Sequence, residues 1–191
     1  VPRGVKTSQR LIAVAASTGG TEAIREFLVG MPVACPGIAI VQHMPEGFTR
    51  MFADRLNQAC KIQVKEAQEG DRLLPGHALI APGNRHLKVA KIGKSSVAVL
   101  SAAPPVNGHR PSADVLFDSV SQLYGADVIG IIMTGMGEDG ARGLGRIRAC
   151  GEPVPSTGSR FSVTANTKMN IRPIQKIGAE MPTDAMIIDR R

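Results

Sequence analysis

The feature that most constrains this fold is an alternation of short apolar runs with amphipathic stretches. Leu11–Ala16 and Gly37–Val41 have the length and apolar character of buried strands, and apolar residues at helical spacing follow each of them. The most hydrophobic run, Val128–Met133, is followed in the same way by a helical pattern over 142–149. Strands alternating with helices predict an α/β fold with a doubly wound, mostly parallel sheet flanked by helices.

The middle of the chain departs from this alternation. Residues 62–99 contain short alternating pieces between turn residues, which predict short strands, some of them antiparallel. An apolar stripe over 112–124 predicts a further helix. A chain of 191 residues holds one sizeable core, so we expect a single domain over 11–191 after a polar, basic linker stub at 1–10.

Composition argues against several function classes. The formal charge of +7 comes from 23 scattered Lys and Arg residues, and it suits an acidic partner. Nucleic acid is not expected as a partner, because aromatic residues make up 3% of the chain and Trp is absent. No apolar stretch is long enough for membrane insertion, and no secretory signal opens the chain, so we expect a cytoplasmic protein. The histidines and cysteines lack metal-ligand spacing, and we expect no metal.

Three of the predicted strands end in residues that together can do nucleophilic chemistry. Ser17, His43 and Asp139 each come shortly after an apolar run. A serine hydroxyl needs a base to accept its proton, and the base needs a third group to orient it and stabilise its charged form. Because a parallel sheet brings its carboxyl ends to one edge, we expect these three side chains to converge there.

Each residue also has a simpler interpretation. Ser17 could cap the helix that follows it. His43, before Met44 and Pro45, could be a loop histidine bonded to backbone, and Asp139 could cap the next helix or form an Asp-Gly turn. The glycines after Ser17 and the segment 134–137 could expose N–H groups to an oxyanion. The A-S-T-G-G-T sequence around Ser17 matches no dinucleotide or P-loop motif, so nucleotide binding is a weaker alternative.

Six separated blocks resemble the catalytic domain of the chemotaxis protein-glutamate methylesterases, the CheB family. The resemblance covers residues 11 to 150. The blocks are Ala16-Ser-Thr-Gly-Gly-Thr-Glu-Ala23, Gln42-His-Met-Pro45 with Gly47-Phe48-Thr49, Ala81-Pro-Gly83 with His86, Pro104-Pro-Val-Asn107, His109-Arg-Pro-Ser112, and Thr134-Gly-Met-Gly137 with Asp139-Gly140.

The resemblance implies hydrolysis of glutamate methyl esters on the cytoplasmic helices of methyl-accepting chemoreceptors, and in some members deamidation of receptor glutamines. It implies that Ser17, His43 and Asp139 form the catalytic triad, that Thr18 and Met136 line the active site, and that no cofactor is needed. Many members carry an amino-terminal response-regulator domain that restrains the site. No such domain precedes residue 11, which predicts a catalytic fragment.

The chain departs from the family pattern in two places. The family usually has glycine where Ala15 stands, and the added methyl group can crowd the turn that aims the nucleophile. Residues 151–191 match the family poorly, and four prolines there argue against a long helix, leaving Met186–Ile188 as the short run that could close a sheet. This tail predicts a weakened enzyme. The alternatives are a catalytically impaired receptor-binding or regulatory module, and a small-molecule esterase with a deep apolar pocket.

Overall fold

The computed structural model describes residues 10–150 and the backbone of a strand at 186–188. Residues 1–9 of the predicted linker stub lie outside the described residues, as does the rest of the poorly matched tail.

A six-stranded sheet forms the centre of the described fold. In chain order its strands are β1 (Leu11–Ala16), β2 (Gly37–Gln42), β3 (Gln63–Glu66), β4 (His77–Ile80), β7 (Val128–Ile132) and β8 (Met186–Ile188). They are arranged in the order β3-β4-β2-β1-β7-β8, and all neighbouring pairs are parallel except β7 and β8. The predicted mostly parallel sheet is confirmed, and the short run at 186–188 does pair at its edge.

Within residues 10–150, four α-helices cover the sheet: α1 (Gly20–Val29), α2 (Phe48–Ala59), α3 (Ala113–Tyr124) and α4 (Ala141–Ala149). Buried residues of α1 and α2 pack with strand residues in one cluster, and those of α3 and α4 pack with strand residues in a second cluster. Alternate residues of β1 belong to the two clusters, with Ile12 and Val14 in the first and Leu11 and Ala13 in the second. Because both faces of β1 are covered, every residue of the strand is apolar and buried.

The remaining strands, β5 (His86–Ile92) and β6 (Ser95–Ser101), form an antiparallel hairpin outside the main sheet. Leu87, Val89 and Ala98 of the hairpin pack into the cluster that also holds α3 and α4. His86 begins β5, and its ring is buried between two backbone groups.

β1 lies between β2 and β7, at the point where the strand order of the sheet reverses. β2 pairs with one of its edges and β7 with the other, so the strand order reverses on either side of β1. The crevice at the carboxyl ends of such strands is where ligands bind in open α/β sheets. Among the described residues, no helix has both the length and the apolar character that crossing a membrane requires.

Candidate active site

The register of the sheet brings the ends of β1, β2 and β7 together. Ala16 pairs with Gln42, and Ala15 pairs with Ile132. One residue beyond this ladder, the His43 amide donates to the Ala16 carbonyl at 3.1 Å, and the Ser17 amide donates to the Thr134 carbonyl at 3.0 Å. The backbone at Ala16 and Ser17 therefore lies between His43, the first residue after β2, and Thr134, the second residue after β7.

Hydrogen bonds and close packing hold the backbone of Ser17 in place. Its carbonyl accepts hydrogen bonds from the Gln42 side chain at 2.9 Å and from the Gly20 amide at 2.8 Å. Gly135 packs so closely that a Cβ atom there would lie 2.7 Å from the Ser17 Cβ. The alternative that Ser17 caps α1 is wrong, because the cap position is Gly19 and no side chain caps this helix.

The side chain of His43 is hydrogen-bonded to Asp139, which lies in the loop between β7 and α4. The imidazole Nε2 lies 2.9 Å from the Asp139 Oδ2, and the two side chains are 14% and 2% exposed. His43 is thus more than a loop histidine bonded to backbone. Because an ionised carboxylate only accepts hydrogen bonds, the neutral imidazole carries its proton on Nε2. Its Nδ1 is buried and has no partner among the described residues.

Asp139 is held by the amino terminus of α3. Oδ2 accepts the Ala113 amide at 2.6 Å, and Oδ1 accepts the Ser112 hydroxyl at 2.6 Å and the Asn107 side-chain amide at 3.1 Å. The alternative that Asp139 caps the helix following it is wrong, because Gly140 occupies the cap position of α4. A carboxylate at a helix amino terminus is stabilised by the free N–H groups and the helix dipole.

These contacts keep Asp139 ionised. Burial alone would raise the pKa of its carboxyl group, but the hydrogen bonds that the group accepts, from His43 first and then from Ser112, outweigh burial and hold its pKa well below the usual range. A buried carboxylate that remains charged near neutral pH can orient an imidazole and stabilise its protonated form.

The other residues singled out in the sequence lie around Ser17. Thr18 is exposed, and its carbonyl accepts the Thr134 hydroxyl at 3.1 Å. Met136 is 80% exposed, one residue after Gly135, on the segment that passes Ser17. Ala15 is buried within β1, where its carbonyl accepts the Met133 amide at 2.9 Å.

The structure places in this network four further residues that the sequence analysis assigned neither to the triad nor to the lining of the active site. They are Gln42, Asn107, His109 and Ser112. All four belong to the sequence blocks that carry the family resemblance, and this membership was the available signal. Their contacts depend on loops that converge from distant parts of the chain, which spacing along the sequence does not reveal.

An open depression lies between α1 and α2, and its lining includes Met44, the residue that follows His43 in sequence. It has a volume of about 450 Å³ and is lined largely by apolar side chains, including Met44, Phe48 and Met51. Phe48 and Met51 are 56% and 52% exposed, so the depression is a surface feature and not an enclosed pocket. No group of three metal-ligating side chains converges anywhere in the part of the chain that the structure describes.

Comparisons with known proteins agree with this geometry. Residues 12–170 match the family model described as CheB methylesterase, which extends past the blocks recognised in the sequence. The crystal structure of the Thermotoga maritima CheB methylesterase catalytic domain superposes with a TM-score of 0.72 at 33% identity, over 74% of this chain and 76% of that one.

Two curated relatives are more similar in sequence. A Geobacter metallireducens protein named protein-glutamate methylesterase/protein-glutamine glutaminase 1 is 56% identical over 78% of this chain, and a Cupriavidus pinatubonensis protein of the same name numbered 2 is 57% identical over 76%. The chain spans 41% of the length of each relative. A match of this extent to the family model, with a shared catalytic-domain fold, shows that the chain belongs to the CheB methylesterase family.

Proposed function

We propose that this chain hydrolyses glutamate methyl esters on methyl-accepting chemoreceptors, with Ser17 as nucleophile, His43 as base and Asp139 as the partner of the histidine. The observation that supports this most directly is the hydrogen bond between His43 and a buried, ionised Asp139, next to the strand end that carries Ser17. The names of the relatives from Geobacter and Cupriavidus describe this activity for those proteins.

The proposed reaction has two acyl-transfer steps. The Ser17 Oγ attacks the ester carbonyl while His43 takes the hydroxyl proton on Nδ1, the imidazole atom with no partner among the described residues. The resulting imidazolium gives this proton to the departing methoxide, which leaves as methanol and leaves glutamyl-Ser17 behind. Water then attacks the acyl carbonyl, losing a proton to His43, and the returning proton regenerates Ser17 and frees the glutamate carboxylate.

Asp139 would stabilise the imidazolium in both steps without itself being protonated. This agrees with a pKa held well below its usual range, since the carboxylate then stays charged while His43 gains and loses a proton.

The same site would deamidate glutamine. An amide has the same carbonyl for Ser17 to attack, and His43 would protonate the leaving nitrogen so that it departs as ammonia. The relatives are named glutaminases as well as methylesterases. Thr18 and Met136 lie on the two segments that border Ser17, and we propose that they line the place where the substrate side chain sits.

The proposed partners are the cytoplasmic helices of chemoreceptors, which makes the protein cytoplasmic. The exposed depression between α1 and α2, which begins at Met44 next to His43 in sequence, suits a side chain presented on a protein surface better than a small molecule that must be enclosed. The formal charge of +7 favours encounter with acidic helices.

The decisive experiment is release of methanol from methylated chemoreceptor. We expect Ser17→Ala and His43→Ala to abolish turnover and Asp139→Asn to reduce it. Ser95→Ala, at the start of β6 beside the hairpin turn, is the matched control and should behave as the parent. A fluorophosphonate probe should label the parent and fail to label Ser17→Ala. A parent chain that neither turns over nor labels would contradict the proposal and support the noncatalytic receptor-binding alternative.

A further inference from the structure

A second histidine lies flat against the ring of His43. The rings of His43 and His109 are stacked with their centroids 3.8 Å apart and their planes inclined by 4°. His43 is therefore held in two directions, at one edge by the hydrogen bond to Asp139 and across one face by His109.

A tight turn delivers His109 to this position. Val106 and His109 exchange two backbone hydrogen bonds, of 3.0 and 2.9 Å, across the two residues between them. Those residues, Asn107 and Gly108, have φ angles of 52° and 76°. Two positive φ values in a two-residue loop are what a type I′ turn requires, and Asn-Gly is a preferred pair for it.

The side chain of Asn107 ties this turn to the rest of the site. Its amide nitrogen donates to Asp139 Oδ1 at 3.1 Å and to Asp114 Oδ2 at 2.7 Å, and its carbonyl oxygen accepts from Arg142 at 3.1 Å. Asp114 is buried at the start of α3, and Arg142 belongs to α4. The turn is thus anchored to two helices and to the carboxylate that holds His43.

A single hydrogen bond leaves an imidazole free to tilt. Rotation about the side-chain torsions of His43 can move Nδ1 while Nε2 keeps its contact with Asp139. A face contact restrains this tilt, because a parallel ring at 3.8 Å leaves no space on that side. Displacement of a reacting group by about 1 Å can cost on the order of 10²-fold in rate, so such a restraint has a kinetic effect.

We propose that the turn at 106–109 is a positioning element for the triad, in which His109 fixes the plane of the His43 ring and Asn107 fixes both the turn and Asp139. The proposal rests on the proposed function for its kinetic consequence. In this proposal His109 acts by packing against the ring of His43, so the flat shape of its ring matters and its capacity to carry a proton does not.

The kinetic test compares three replacements of His109 on methylated chemoreceptor. His109→Phe keeps a flat ring, His109→Leu fills similar volume without one, and His109→Ala removes the contact. We expect kcat to fall about 10- to 100-fold for the Leu and Ala variants with KM changed less than about twofold, and to stay within about threefold of the parent for the Phe variant. His77→Ala is the matched control, because His77 lies at the amino end of β4, whereas His43 follows the carboxyl end of the parallel strand β2.

A second readout does not require turnover. In ¹⁵N-histidine-labelled protein, the His43 Nε2 proton bonded to Asp139 should give a downfield resonance that exchanges slowly in the parent and in His109→Phe. The resonance should broaden and exchange faster in His109→Leu and His109→Ala. Circular dichroism should show that the parent and all three variants are folded. This signal separates the positioning role of His109 from the proposed esterase function. If the parent has no esterase activity but the four proteins still show these differences in exchange, the proposed function is wrong and the positioning role stands.

Two results would overturn the inference. One is parental kcat and parental proton exchange in His109→Ala. The other is a loss in His109→Phe as large as in His109→Ala, which would mean that a polar or charged atom at position 109 is required and not a flat ring.

Discussion

Asp139 accepts the backbone amide of Ala113 at 2.6 Å, although Ala113 begins α3, Asp139 lies in the loop before α4, and the two residues are 26 positions apart in sequence. The same Oδ2 atom also accepts the His43 Nε2–H. One carboxylate oxygen therefore accepts hydrogen bonds both from the first amide of α3 and from the proposed base, His43. A change at Asp139 should therefore affect both the stability of the α3 amino terminus and the orientation of the His43 ring. The first two predictions follow from this coupling.

Asp139→Asn should impair both properties. The amide keeps the shape but presents N–H groups to donors at the end of α3, and it cannot stabilise an imidazolium. We expect the free energy of unfolding in urea to fall by about 1–3 kcal/mol. We expect kcat for methanol release to fall about 10²- to 10⁴-fold. A variant that loses activity at full stability would mean that the contacts with α3 contribute nothing to folding.

Acid should remove the contribution of Asp139 to stability. The folded-state pKa of this carboxyl lies below its unfolded value of about 3.9, so the contribution is fully present above that pH and disappears as pH falls through the folded-state pKa. The difference in free energy of unfolding between the parent and Asp139→Asn should therefore shrink as pH falls below about 4. Denaturant titrations below this pH measure it, and a difference that grows there on further acidification would reverse the assigned sign.

Gly135→Ala should displace the nucleophile. The added Cβ would meet the Ser17 Cβ at 2.7 Å and the Ser17 amide nitrogen at 3.2 Å, so one of the two backbone segments must move. We expect about 1–3 kcal/mol of destabilisation and a loss of fluorophosphonate labelling in protein that remains folded.

Gly145→Ala is the matched control for that change. Gly145 lies in α4, and a Cβ there meets nothing within 4 Å. Alanine is the better helix former by about 0.5–1 kcal/mol, so this variant should be slightly more stable and label like the parent. Equal labelling by both variants would show that the close packing at Gly135 does not control Ser17.

Gln42→Leu should remove hydrogen bonds that hold together the residues following β1 and β2. The buried Gln42 amide donates to the carbonyls of Ser17 at 2.9 Å and His43 at 3.3 Å, and leucine removes both bonds. We expect a loss of about 1–3 kcal/mol in stability, measured by urea unfolding, and a lower kcat with little change in KM. Gln63→Leu, at an exposed position of β3, is the control and should change neither quantity.

The sequence was informative wherever local pattern and sheet geometry decide the outcome. The apolar runs located β1, β2 and β7, and parallel pairing then placed the residues after them at one edge. It was less informative for residues 62–99, because short strands leave their pairing partners undetermined. β3 and β4 proved to extend the main sheet in parallel, while β5 and β6 pair with each other.

The surroundings of Asp139 could not be predicted for a related reason. An Asp-Gly sequence before a helix indicates a local cap, and nothing in the spacing reveals that the end of a different helix lies within hydrogen-bond distance. That contact follows from the packing of α3 and α4 against the same face of the sheet. The stacking of His109 on His43 likewise depends on where a two-residue turn is anchored in space.

The backbone hydrogen bonds between β1, β2 and β7 affect which substitutions this protein can tolerate. The spacing between Ser17 and the residues after the neighbouring strands is set by amide and carbonyl groups, which every amino acid except proline supplies. Sequence drift on the outer faces of the helices can therefore alter solubility and choice of partner while the reacting groups keep their mutual geometry. Libraries for directed evolution that randomise those faces should retain active members at a higher rate than libraries confined to the loops at the carboxyl edge.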